Sequence, residues 1–200
     1  MKSITFINGW GIPIEWISKK LKTRYPNHTI TVVASIPKWE EKLDFNKNSQ
    51  LHAYSLGTLL VANTKLPKNF SKTNFYAPIL SFASETNYGS KITALELNKM
   101  IDAFNKNPLL TLNYFFRKCK LPLRLTQLPD SKENLFWGLK ALSSLIVNPL
   151  PNINYYCGEK DPLINHKIMR SKIKKLITFS QGNHNIETLW HSVDEIKTSI

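Results

Sequence analysis

The sequence predicts an α/β protein in which a mostly parallel sheet is covered by helices on both faces. Three observations carry that prediction. Short apolar or β-branched runs alternate with amphipathic segments toward both ends of the chain, the order that builds a parallel sheet. In the stretch from residue 91 to residue 150 the strand signal disappears and only helical spacing remains. A serine, Ser55, stands between small residues where an apolar strand gives way to a helix-forming run, the arrangement of a nucleophile elbow.

Taken in order, residues 3–8 alternate and then turn apolar before Gly9-Trp10-Gly11, a buried strand entering a glycine-hinged loop. Residues 14–25 place Trp16, Ile17 and Leu21 at helical spacing with lysines opposite, and Pro26-Asn27 ends that helix. Residues 29–34 are β-branched and form a second strand. Residues 37–48 are polar and loop-like, residues 50–54 a third strand, and 56–65 the helix after it. Residues 74–80 are a fourth strand, interrupted or ended near Pro78. Three helices follow over 95–104, 109–120 and 135–147, the second rich in aromatics (Tyr114, Phe115, Phe116). Sheet texture returns with a strand at 153–157, a helix at 166–175, a last strand at 176–179 and a closing helix at 187–197. The expected organisation is a core of residues 1–88 and 151–200, with residues 89–150 inserted as a helical lid.

Two hundred residues suit one domain with a sizeable core. A hydrophobic content of 42% argues against a disordered chain. The first residues carry too short an apolar run for a signal peptide and no small-residue cleavage site. No apolar stretch approaches membrane-spanning length. The expectation is a cytoplasmic monomer that works without a membrane. Cys119 and Cys157 fit no metal or disulfide spacing, so reduced thiols and no metal site are expected. The net charge of +13 is the strongest compositional signal. It fits a solvated lysine face, or an acidic partner such as nucleic acid, an anionic membrane or an acidic protein. No zinc finger, RNA-recognition signature or repeat points to nucleic acid.

Three strand ends offer Ser55, Asp161 and His184, in that order. A serine hydroxyl needs an imidazole to take its proton, and the imidazole needs a carboxylate to fix its tautomer and stabilise its charged form. Alone, Ser55 reads as a helix N-cap, His184 as a loop histidine and Asp161 before Pro162 as a turn. Their joint occurrence after three separate strands lifts them together. The expected oxyanion donors are the main-chain N–H of Leu56, next after the serine, and of Trp10, after the first strand. His28, His52, His166 and His191 lack such a setting, and His52 should point away from the site.

The motifs resemble those of the α/β-hydrolases. Asn8-Gly9-Trp10-Gly11 is similar to their H-G-W-G loop, Ala53-Tyr54-Ser55-Leu56-Gly57 to the G-x-S-x-G elbow, Gly158-Glu159-Lys160-Asp161 to the G-x-x-D acid loop, and Gly182-Asn183-His184 to the histidine loop. More narrowly, the chain resembles the pimeloyl-[acyl-carrier-protein] methyl ester esterases of biotin synthesis, through the G-W-G loop, the leucine after the nucleophile, a lid of four-helix type, and Gly138-Leu139-Lys140-Ala141-Leu142 before the next strand. Asn8 replaces a histidine and Ala53 a glycine. The lack of N-terminal hairpin strands implies a trimmed sheet of about six strands.

The resemblance implies a serine carboxylesterase with Ser55, Asp161 and His184 as catalytic residues and no cofactor. Trp10 and Leu56 would serve the oxyanion hole and line the acyl pocket. Phe115, Phe116, Arg117, Lys118 and Cys119 would line the substrate along with His184. Its substrate would be the methyl ester of pimeloyl-acyl carrier protein. The carrier is acidic, which gives Arg117, Lys118, Lys120 and Arg124 of the lid a docking role. The competing expectations are a broad short-acyl carboxylesterase or thioesterase, and a non-catalytic hydrolase-fold module that binds an acidic partner.

Overall fold

In the computed structural model, residues 2–43, 49–64 and 70–198 are described. Strands β1 (Ser3–Ile7), β2 (Thr29–Val33), β3 (Ser49–Tyr54), β4 (Lys72–Tyr76), β5 (Asn154–Gly158) and β6 (Leu176–Phe179) form one sheet. Its order is β2-β1-β3-β4-β5-β6, and every neighbouring pair is parallel. Helices α1 (Ile14–Arg24), α2 (Leu56–Asn63), α6 (His166–Lys172) and α7 (Ile186–Thr198) alternate with the strands, while α3 (Ala94–Lys106), α4 (Pro108–Lys118) and α5 (Lys132–Ser144) all fall between β4 and β5. The chain leaves β1 toward β2 and returns to the other side of β1 as β3. That reversal opens a crevice beyond the carboxyl ends of β1 and β3, where open α/β sheets bind ligands.

The pleat sorts the side chains. Phe6, Tyr76 and Tyr156 share one face, where Trp190 of α7 meets Phe6 and Tyr76 edge-on. Helices α1 and α7 are clasped there by Lys20–Glu187 at 2.6 Å and by Arg24–Asp194. Helix α2 covers the opposite face, its residues 56–61 all buried. A helix so apolar has no polar face to give to water, which fits its place between the sheet and α5. The inserted helices have strong starts. Thr93 and Glu96 form a reciprocal capping box on α3, and Asn107 caps α4 ahead of Pro108.

Several elements differ from expectation. The fourth strand stops at Tyr76 rather than running to residue 80, because Ala77 turns to a φ of 46° once its N–H has made the last ladder bond, to the Tyr156 carbonyl. The polar stretch after β2 contains a one-turn helix, Trp39–Lys42, that buries Trp39. The rest of that stretch, 44–48, and the expected helix end at Lys65 lie outside the described residues. The insertion holds three α-helices rather than a four-helix lid. Helix α5 starts three residues before its first buried residue, Leu135, because Ser131 accepts the Asn134 N–H at 3.1 Å. Among the described residues no helix is long and apolar enough to cross a membrane.

Candidate active site

Ser55 joins β3 to α2 in a backbone that side chains rarely adopt, with φ 52° and ψ −120°. Such a residue stores on the order of 1–3 kcal/mol of strain. Its surroundings hold it there. The Ser55 N–H donates to the Tyr76 carbonyl at 3.0 Å. Thr58 Oγ1 donates to the Ser55 carbonyl at 2.7 Å and accepts the Ile79 N–H at 2.9 Å. Gly57 fits α2 against the chain leaving β1. A methyl group at 57 would overlap the carbonyl oxygens of Ile7 and Asn8, the latter at 2.7 Å.

Asp161 follows β5 and His184 follows β6. Their loops touch at Gly158 and Gly182: a methyl group on Gly158 would overlap the Gly182 main chain and come 2.5 Å from the Asn183 nitrogen. The Lys160 N–H donates to the Gly182 carbonyl at 2.9 Å. The result is a continuous relay. His184 Nδ1 lies 2.8 Å from Asp161 Oδ2, and His184 Nε2 lies 3.0 Å from Ser55 Oγ. The other carboxylate oxygen, Asp161 Oδ1, accepts the N–H groups of Leu163 (2.8 Å) and Ile164 (3.1 Å). An ionised Asp161 fixes the proton on Nδ1 and leaves Nε2 as the acceptor that faces Ser55. Tyr54 donates its hydroxyl to the His184 carbonyl at 2.7 Å, and Lys91 Nζ donates to the Asp161 carbonyl at 2.6 Å. Nothing in the sequence marked these two braces, since both act across the fold on main-chain atoms.

Leu56 follows the serine directly, and its side chain and that of Trp10 both lie against Gly138 of α5, both residues buried. Among the described residues neither main-chain N–H has an acceptor. Buried N–H groups are seldom left so, and Leu56 also begins α2, where the helix dipole favours negative charge. Asn8, where the resemblance has a histidine, braces the Trp10 loop. Its side chain donates to the Ile12 carbonyl at 2.8 Å and accepts the Gly9 N–H at 3.0 Å.

Ser55 is only 4% exposed beneath the inserted helices. A cavity of about 470 Å³ opens between α3 and α4, lined by Phe82, Ile92, Met100, Phe115 and Leu163 with Lys99, Arg117 and Lys118 among its polar residues. Ser55 does not line it. Phe115 connects the two regions, because it faces the cavity and also meets the Trp10 ring edge-on at 5.2 Å. Phe116 and Cys119 are wholly buried and lie outside this lining, whereas Lys120 and Arg124 are exposed. Lys118 pairs with Glu96 at 3.7 Å, and Arg117 sits over Tyr114. Burial pushes both the Cys119 and the Cys157 thiol well above the usual range. His52 hydrogen-bonds Asn74 and Gln50. Among the described residues no cluster of three His, Cys, Asp or Glu side chains could hold a metal.

No protein-family model matches the chain, and no curated protein matches it in sequence. Solved structures do match in fold. An esterase from Exiguobacterium antarcticum superposes with a TM-score of 0.71 at 15% identity, over 98% of this chain and 92% of that one. BioG from Haemophilus influenzae gives 0.59 at 13% identity, over 94% of each chain. A hydrolase from Oleispira antarctica gives 0.60 at 13%, over 92% of this chain and 84% of that one. The chain has the α/β-hydrolase fold.

Proposed function

We propose that the chain is a serine esterase that hydrolyses the methyl ester of pimeloyl-acyl carrier protein. The observation that supports esterase chemistry is the unbroken Asp161–His184–Ser55 relay on a strained elbow. Ser55 Oγ attacks the ester carbonyl as its proton passes to His184 Nε2. The carbonyl oxygen, now negative, is held by the N–H groups of Trp10 and Leu56, each worth about 10²–10³ in rate. Collapse expels methoxide, which leaves as methanol with the proton from His184. A water then gives its proton to His184 and attacks the acyl-serine, and collapse releases the free carboxylate and restores Ser55. Asp161 stays ionised and steadies the imidazolium that forms twice in the cycle. These steps call for no metal and no cofactor.

The methyl-ester substrate is supported by the resemblance of the loop, elbow, acid and histidine motifs, by the apolar cavity and by the charge. A net charge of +13 suits an acidic carrier. Lys99, Arg117 and Lys118 border the cavity, and Lys120 and Arg124 extend the cationic surface. The second reading, a short-acyl carboxylesterase, uses the same Asp161–His184–Ser55 relay and needs no carrier. Steady-state kinetics on pimeloyl-carrier methyl ester, free dimethyl pimelate and an aryl butyrate separates the two. The carrier substrate should show kcat/KM at least about tenfold higher than the free ester, with a KM that rises with salt. Equal values would overturn the carrier reading. Ser55→Ala should abolish all three activities, and an active Ser55→Ala would overturn the esterase itself.

A further inference from the structure

Helix α5 carries a glycine in its middle, the first residue of the Gly138-Leu139-Lys140-Ala141-Leu142 motif, and the chemistry above leaves it without a role. Glycine is among the poorest residues for a helix interior, so its place calls for a reason. The packing supplies one. A methyl group at 138 would come 2.7 Å from Trp10 Cδ1 and 3.2 Å from both Trp10 Nε1 and Leu56 Cδ2. One turn earlier on the same face of α5, the Leu135 carbonyl accepts the Trp10 indole N–H at 2.8 Å. The ring is further enclosed by Phe104 of α3 at 5.8 Å and Phe115 of α4 at 5.2 Å. Helix α5 therefore rests on the side chains of the two residues to which the esterase reading gives the oxyanion donors.

We propose that Gly138 is a positioning residue for the oxyanion hole, a role that rests on the esterase reading. Its missing side chain lets α5 seat on Trp10 and Leu56. The Leu135 carbonyl then fixes the indole, and the indole fixes the loop that carries the Trp10 N–H. On this arrangement the inserted helices complete the oxyanion hole as well as covering it. A methyl group at 138 must displace Trp10 or lift α5, and either movement carries a donor away from the developing oxyanion.

The test is Gly138→Ala, assayed on p-nitrophenyl butyrate and with an alkyl trifluoromethyl ketone, which adds to Ser55 Oγ and leaves an oxyanion. The expected result is a fall in kcat of about tenfold or more, short of the 10²–10³ for losing a donor outright. KM should stay within about threefold, and the ketone should weaken by the same factor as kcat/KM. Lys140→Gly loosens α5 at an exposed site and should leave kcat and ketone affinity unchanged. Trp10→Phe removes the indole N–H without adding bulk, and should lower kcat and ketone affinity together; it decides the matter where Gly138→Ala fails to fold. Wild-type kcat and ketone affinity in a folded Gly138→Ala, or in Trp10→Phe, would overturn the proposal. Failure of the esterase reading looks different: the unmodified chain would then not cleave the aryl ester, or Ser55→Ala would cleave it as well.

Discussion

Asp161 has two jobs on two oxygens, and a pair of substitutions can separate them. Oδ2 faces His184 Nδ1 at 2.8 Å, while Oδ1 holds the loop through the N–H groups of Leu163 and Ile164. In Asp161→Asn the amide oxygen can keep both loop bonds. The amide nitrogen then replaces Oδ2, and being a donor it cannot accept from Nδ1–H. His184 answers by moving its proton to Nε2, where it points at Ser55 and leaves no base for the hydroxyl. Flipping the amide does not help, because the NH₂ would then face two N–H donors. The expected loss in kcat/KM is about 10⁴, or ~5.4 kcal/mol of transition-state stabilisation, with stability close to that of the parent. Asp161→Ala removes the histidine partner and also orphans two buried N–H groups. At about 1–3 kcal/mol for each, it should unfold about 2–6 kcal/mol more easily than Asp161→Asn. Aryl-ester kinetics and urea unfolding on both variants read the two effects. An Asp161→Asn enzyme that folds normally and keeps more than about one per cent of activity would refute the assignment.

Three other outcomes follow from the same contacts. Gly57→Ala places a methyl group against the Ile7 and Asn8 carbonyls, where main chain has little room to move; it should lose about 2–3 kcal/mol in urea unfolding and at least about tenfold in kcat, and a neutral result would show that α2 does not seat on β1 as described. Burial pushes the Tyr54 and Tyr76 phenols well above the usual range and Tyr155 up to about 12. The folded state therefore keeps protons that the unfolded chain releases above about pH 10, so this stability is whole below pH 10 and is lost as pH rises further; thermal melts should drop over that window, with the phenolate absorbance of these three rings appearing along with unfolding rather than ahead of it. Cys119 and Cys157, both buried with raised thiol pKa, should resist an aromatic disulfide reagent at about pH 8 until denaturant is added; prompt reaction of either in the native protein would contradict their burial.

The elements were easier to read in the sequence than the contacts between them, for physical reasons. Strands β1, β2, β3, β5 and β6 announce themselves by β-branched or apolar runs, and each ends within about two residues of expectation. Ser55, Asp161 and His184 follow β3, β5 and β6, so chain order alone implied that they converge. The errors fall where local pattern does not decide the outcome. Residues 77–80 look like a strand, yet Ala77, after a last ladder bond to Tyr156, turns to a positive φ and leaves the sheet. Trp39 lies in a polar stretch and is buried all the same. Phe115 and Phe116 are indistinguishable in sequence, but one helical step of about 100° turns Phe115 toward Trp10 and the cavity and Phe116 into packing. The braces from Tyr54, Lys91 and the Leu135 carbonyl leave no trace in spacing, because each reaches a partner far along the chain.

The elbow shows which of its small residues the fold requires. Ser55 is kept at a positive φ by Tyr76, by Thr58 and by the close seating of α2 on the chain leaving β1. That seating needs a glycine at 57. Position 53 is different: it sits in regular strand, opposite Ile7 on one side and Phe75 on the other, and its methyl group is simply part of the buried sheet. Of the two glycines in the G-x-S-x-G pattern, only the second is demanded by a backbone approach in this structure. Ala53 therefore leaves Ser55 undisturbed, and the residue that guards the geometry of Ser55 is the one two positions after it.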